Sequence, residues 1–189
     1  PHFYDSSIFV FNRETRVVFL EHIPSKGDRL MTGNIVEGKL VDFRAIFPEL
    51  GTYKNPTVTV DAKGQAYLSW EEFKEDRWEV MVACFDDGRT ERIEVLNQPA
   101  FFSGDLQAAS VGRSFANGIN HATAPHPQGG VSIVWQQDMG GQFDVAHAKV
   151  SSGLQISEQN ILSNNPRGDW APRIATNQDG MSFVAWDIY

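Results

Sequence analysis

Apolar residues in this chain fall in short runs, many alternating with polar ones, and the runs stop at Gly, Asn, Asp or Pro. Val, Ile, Phe, Tyr and Trp dominate them, and helical spacing is nearly absent. A period of two with frequent turn residues predicts β-strands throughout. The runs group in fours. The first group is Ser7–Phe11, Arg16–His22, Arg29–Val36 and Leu40–Phe47. The second is Thr57–Val60, Gln65–Glu71, Trp78–Phe85 and Glu91–Leu96. The third is Ala122–Ala124, Val131–Gln136, Phe143–Val150 and Gln155–Leu162. A fourth group has two members, Arg173–Thr176 and Ser182–Trp186.

The groups share a frame. Gly64, Gly129 and Gly180 each stand six residues before a tryptophan, Trp70, Trp135 and Trp186. Gly88 and Gly153 follow Trp70 and Trp135 by eighteen residues, and the same step back from Gly38 reaches Leu20. A repeat of roughly 50 to 65 residues with four strands per unit predicts the blades of a β-propeller. The expected fold is therefore all-β: a single propeller domain over 1–189, with blades at about 6–50, 51–97, 118–163 and 170–189. Three and a half blades do not close a ring, because propellers have about four to eight. The sequence is thus expected to be part of a larger propeller. The rival expectation is an open stack, or closure by self-association through exposed blade edges.

Composition narrows the partners. The 189 residues carry a net charge of -8, which argues against nucleic acid, whose phosphates require a basic surface. No apolar run is long enough for a membrane-spanning helix. The opening PHFYDSS lacks the charged start and apolar core of a signal peptide, and Pro1 reads as a processed end. Cys84 is the single cysteine and sits in the apolar run EVMVACF, where it is expected to pack as a small hydrophobe. It leaves the compartment open.

The P-x-x-x-x-[DN]-x-x-G-x-x-x-x-x-W frame resembles the blade repeat of sialidase-like and related six- to eight-bladed propellers. That resemblance implies glycan or polysaccharide recognition, as part of a secreted or periplasmic carbohydrate-active enzyme. The alternative is a non-catalytic scaffold for protein partners. The sialidase S-x-D-x-G-x-x-W box is absent: the corresponding turns read DDGRT, SSGLQ and EGKLV. Propeller polysaccharide lyases are similar in outline. That similarity implies a His or Tyr base and an Arg that neutralises a uronate carboxylate, for which His121, Tyr189 and Arg113 are the candidates.

Propeller geometry gives the site a face. The connections between blades and the second hairpin of each blade open on one side. The inter-blade connections are long, at about 48–56, 97–121 and 163–171. Long loops usually hold function, so this is the expected ligand face for a carbohydrate or a protein. The longest loop contains Asp105, Arg113, Asn117, Asn120 and His121, among glycines and phenylalanines. His121 replaces the Pro of the other units and is expected to face the channel mouth, where its pKa suits a general base. A histidine bonded to backbone is the plainer reading. Glu71, Gln136 and Asp187 follow the framed tryptophans, with Glu21 after Leu20, and are expected to ring the mouth, the carboxylates among them as an acid–base pair or all of them as solvated strand ends. Trp170 lies outside the frame near Arg167 and reads as a sugar platform; Tyr53 and Lys54 occupy the matching loop one blade earlier. The framed tryptophans themselves are expected to pack between blades. No cofactor or metal is expected: zinc-ligand spacing, a calcium loop, a phosphate loop, a dinucleotide fingerprint and a G-x-S-x-G elbow are all absent from the sequence.

Overall fold

The computed structural model describes residues 2–86, 89–96, 117–163 and 165–189. These form β1 (His2–Phe11), β2 (Glu14–Ile23), β3 (Gly27–Val36) and β4 (Lys39–Ala45) in a first sheet. The second sheet holds β5 (Tyr53–Val60), β6 (Ala66–Lys74), β7 (Arg77–Asp86) and β8 (Arg89–Val95). The third holds β9 (Gly118–Pro125), β10 (Val131–Asp138), β11 (Phe143–Val150) and β12 (Ile156–Ile161). β13 (Asp169–Thr176) and β14 (Ser182–Ile188) form a two-stranded sheet. Every sheet is an antiparallel meander in chain order, and the first strands β1, β5, β9 and β13 neighbour one another in turn. This is the blade arrangement of a β-propeller, with the first strands lining its axis.

Two of the three framed tryptophans pack between blades, as expected; the third, Trp186, is half-buried in the last sheet and donates to Asp169 of the same sheet. Trp70 is 1% exposed and lies among Phe9, Phe11, Leu20 and Leu30 of the first sheet and Leu68 and Met81 of its own. Trp135 is 0% exposed and joins Val80, Val82 and Leu96 of the second sheet to Ala146 and Val150 of the third. Burying each such aliphatic side chain stabilises by about 1.5–3 kcal/mol, so the blade interfaces are the core. The frame glycines Gly64, Gly129 and Gly180 all have positive φ (82°, 94° and 83°), which the tight first turn of each blade requires.

The first strands begin earlier than the sequence pattern predicts, because each contains a one-residue bulge that interrupts the alternation. The bulges fall between Tyr4 and Ser6, between Lys54 and Thr57, opposite Trp135, and between Trp170 and Arg173. One residue at each bulge takes a left-handed conformation: Asp5 (φ 44°), Asn55 (51°), Asn120 (53°) and Ala171 (50°). An extra residue bends the strand and reverses which face its neighbours occupy. Asx residues tolerate this backbone better than most.

Candidate functional site

The four bulges gather at the loop end of the axis and enclose a cavity of about 530 Å³. Asp5, Asn55, Asn120 and Arg173 line it, with Ser6, Ser7, Thr57 and Thr123 between them. The cavity lies on the face opened by the inter-blade connections, the face expected to receive a ligand. A smaller, mainly apolar hollow of about 260 Å³ marks the opposite end, around Val60, Pro125 and Pro127.

Buried side chains below the cavity hold its floor. Glu71 is fully buried, and its Oε1 accepts from Asn55 Nδ2 (2.8 Å), from the His121 backbone N–H (3.1 Å) and from His121 Nδ1 (3.0 Å). Gln136, the equivalent residue one blade on, is equally buried. Its Oε1 accepts from Asn120 Nδ2 and from the Ala171 N–H (3.0 Å). Pro172 has no N–H, so the inter-blade bond moves back one residue to Ala171. Asp5 Oδ2 accepts from the Asn55 N–H at 3.2 Å across the first interface. Burial pushes the Glu71 carboxyl up, but the hydrogen bond and charge of His121 and the Asn55 amide outweigh it. Its pKa is held below the ordinary 4.5.

Several sequence-derived candidates sit elsewhere than expected. The His121 ring does not face the channel mouth. It is 0% exposed, held between Glu71 and the Ser69 hydroxyl 2.9 Å from Nε2. Glu71 and Gln136 do not ring the mouth but are buried where the first strand of the next blade covers them, each accepting a backbone N–H from it. Tyr53 is buried between the first two blades, and burial, then the charges of Glu72, Glu49 and Asp28, push its phenol up to about 12. Lys54 places its ammonium 3.6 Å over the Trp78 ring. Asp187 and Arg167 are exposed, and Tyr189 is 78% exposed at the end of β14; none of the three lines the cavity. Trp170 belongs to β13 rather than to a loop. It is 38% exposed and rests on Phe143 at 5.3 Å. Asn120 lines the cavity as a loop-face residue should. Arg113 and Asp105 lie outside the described residues.

Sequence reasoning missed Asp5, Asn55 and Arg173. The frame begins at Pro56 and Pro172, one residue after the position that carries the repeat. Moved back by one, it brings Asp5, Asn55 and Asn120 into register as a repeated Asx.

Chemically, the cavity offers one carboxylate, one guanidinium, two carboxamides and four hydroxyl-bearing side chains. Such a set suits a small neutral polyhydroxylated ligand, with Asp5 available as a hydrogen-bond acceptor or base. Among the described residues no cluster of three or more His, Cys, Asp or Glu could hold a metal ion. No helix among them is long and apolar enough to cross a membrane.

No protein-family model matches the chain, and no curated protein sequence does. Solved structures do. A thermostable family-43 glycoside hydrolase superposes with a TM-score of 0.61 at 12% identity, over 99% of this chain and 66% of its own. An endo-arabinase from Bacteroides thetaiotaomicron gives 0.61 at 12%, over 98% and 70%. An α-L-arabinofuranosidase from Lactobacillus brevis gives 0.59 at 11%, over 98% and 65%. The chain thus spans about two thirds of the length of each of these structures. At these identities the likeness is one of fold: a propeller of the kind found in glycoside hydrolases.

Proposed function

We propose that this chain is the glycan-recognising part of a β-propeller carbohydrate-active protein, and that the loop-face cavity holds a neutral sugar. The observation that carries this reading is the cavity itself: polar, axial, of sugar size, and walled by Asp5, Asn55, Asn120 and Arg173. Two of the solved structures it resembles are an endo-arabinase and an α-L-arabinofuranosidase, which makes arabino-oligosaccharides the first ligands to try. In a hydrolytic reaction Asp5 would be the base or nucleophile. Hydrolysis also needs a second carboxyl about 5–10 Å away. Asp5 is the one acid that lines the cavity among the described residues. A lyase reaction by His121 is disfavoured, because its ring is sealed beneath the floor.

The test is titration calorimetry with arabinotriose and xylotriose, paired with a reducing-sugar assay. Binding that Asp5→Ala weakens at least severalfold supports the site. Release of reducing ends, lost in Asp5→Asn, makes it catalytic. Full binding by Asp5→Ala would move the ligand elsewhere.

A second reading, association through the outer blades, rests on Ile8, Val10 and Phe183, which are 68%, 63% and 59% exposed on the first and last sheets. Sedimentation velocity checks it: a dimer that Phe183→Asp dissociates supports it, and a monomer at all concentrations removes it.

A further inference from the structure

The amides of Asn55 and Asn120 have fixed orientations, and hydrogen-bond logic reads them out. Buried Glu71 is held ionised, so it can only accept; the Asn55 group pointing at it must be Nδ2. Turning that amide over would set Oδ1 against a carboxylate. At Asn120 the chain is one step longer. The Ala171 backbone N–H can only donate, so the Gln136 group facing it must be Oε1. The same Oε1 then demands Nδ2 from Asn120. Both side chains therefore spend their nitrogen on the floor and are left with Oδ1 as the other branch, without a partner among the described residues. Asp5 has Oδ2 engaged by the Asn55 N–H and Oδ1 similarly left over.

From this we infer that Asp5, Asn55 and Asn120, one from each of the first three blades, form a set of acceptors that selects a ligand by the protons it donates. Glu71 and Gln136 are the positioning residues that set the two amides. The inference rests on the glycan reading for its ligand class and sharpens it. A sugar is recognised through free hydroxyls as donors, with Arg173 supplying the opposite polarity from the fourth blade. Ala171 occupies the fourth equivalent bulge and has no polar group to offer, so the set is open on that side.

Two measurements test it on the intact chain. In calorimetry, arabinotriose binds wild type, its per-O-methyl ether fails to bind, and Asn120→Leu weakens arabinotriose by about tenfold, the usual effect of one lost hydrogen bond. Gln136→Leu weakens it similarly, and Gln136→Glu, which keeps the acceptor, restores it. Equal binding of the ether, or of Asn120→Leu, overturns the inference while the glycan reading stands. In nitrogen-15 NMR of the free protein, the side-chain amide protons of Asn55 and Asn120 exchange slowly, and Gln136→Leu frees those of Asn120 alone. If wild type binds no oligosaccharide, the glycan reading falls, and the NMR result then decides the acceptor set: protected amides uphold it, freely exchanging ones overturn it.

Discussion

Glu71 and His147 are both buried ionisable groups, and each ties stability to pH in a different window. Burial, then the charge of Lys149, lowers the His147 pKa from 6.5. The unfolded chain takes up a proton near 6.5 while the folded one does not. Stability from this residue is whole above 6.5 and declines as pH falls toward the lowered value. Glu71, also lowered, contributes above 4.5 and loses its contribution as pH falls through its folded value. Thermal melts on acidification are expected to show two stages. His147→Gln flattens the upper and Glu71→Gln the lower; slopes unchanged by either substitution would contradict the assignment. Asp144 works in the opposite sense, because burial and then Asp169 raise its pKa. Gly130 poses a steric question instead. Its φ is 90° and an added Cβ would stand 2.3 Å from the Val150 carbonyl. Gly130→Ala should cost about 2–3 kcal/mol in urea melts. Gly180→Ala, with φ 83° and an added Cβ meeting first the tip of the His126 ring at 3.0 Å, should cost about 1 kcal/mol. At this scale the sequence was least legible. Its alternation says which residues of a strand share a face, but not that the next blade will cover that face. Glu71 was expected at the rim and lies beneath it.

Strand positions were far more legible. Phe143–Val150 is the predicted span of β11, and the other edges differ mostly by one to five residues. The largest differences are in β1 and in β5, β9 and β13, whose early residues precede the bulge and follow no simple period. Turns carry the inter-blade order. Asp61 closes the first turn of the second blade by accepting from the Lys63 and Gln65 N–H groups, then receives the Tyr67 hydroxyl and the Gly130 N–H of the next blade at 2.7 Å. Asp61→Ala strands several buried donors, so a loss of about 3 kcal/mol is expected in chemical denaturation. Asp138 makes a similar turn at the β10–β11 hairpin, where its carboxylate accepts from the Gly140 and Gly141 N–H groups of its own blade. Asp138→Ala should cost about 1 kcal/mol. Equal losses for the two would deny the Asp61 turn its inter-blade role.

The molecule as a whole is a succession of blades joined by two kinds of contact, apolar between sheet faces and polar at the axis. The tryptophan frame announced the first, since a large residue at a fixed place in each unit marks a repeated interface. The second was hidden, because Glu71 and Gln136 look like solvated strand ends until the neighbouring blade is placed against them. Trp135→Ala should lower stability by about 3–5 kcal/mol and broaden or split the melt, because it empties the contact between the second and third blades. A single sharp transition with an unchanged midpoint would mean that this interface contributes little. The axial joints have a consequence for rearranging such a chain. Each joint is made of an acceptor on one blade and a matching donor on the next: Glu71 with His121, Gln136 with Ala171. A unit excised and grafted at another point brings half of two different joints. Shuffled versions of this protein should therefore assemble only when neighbouring units are moved as pairs.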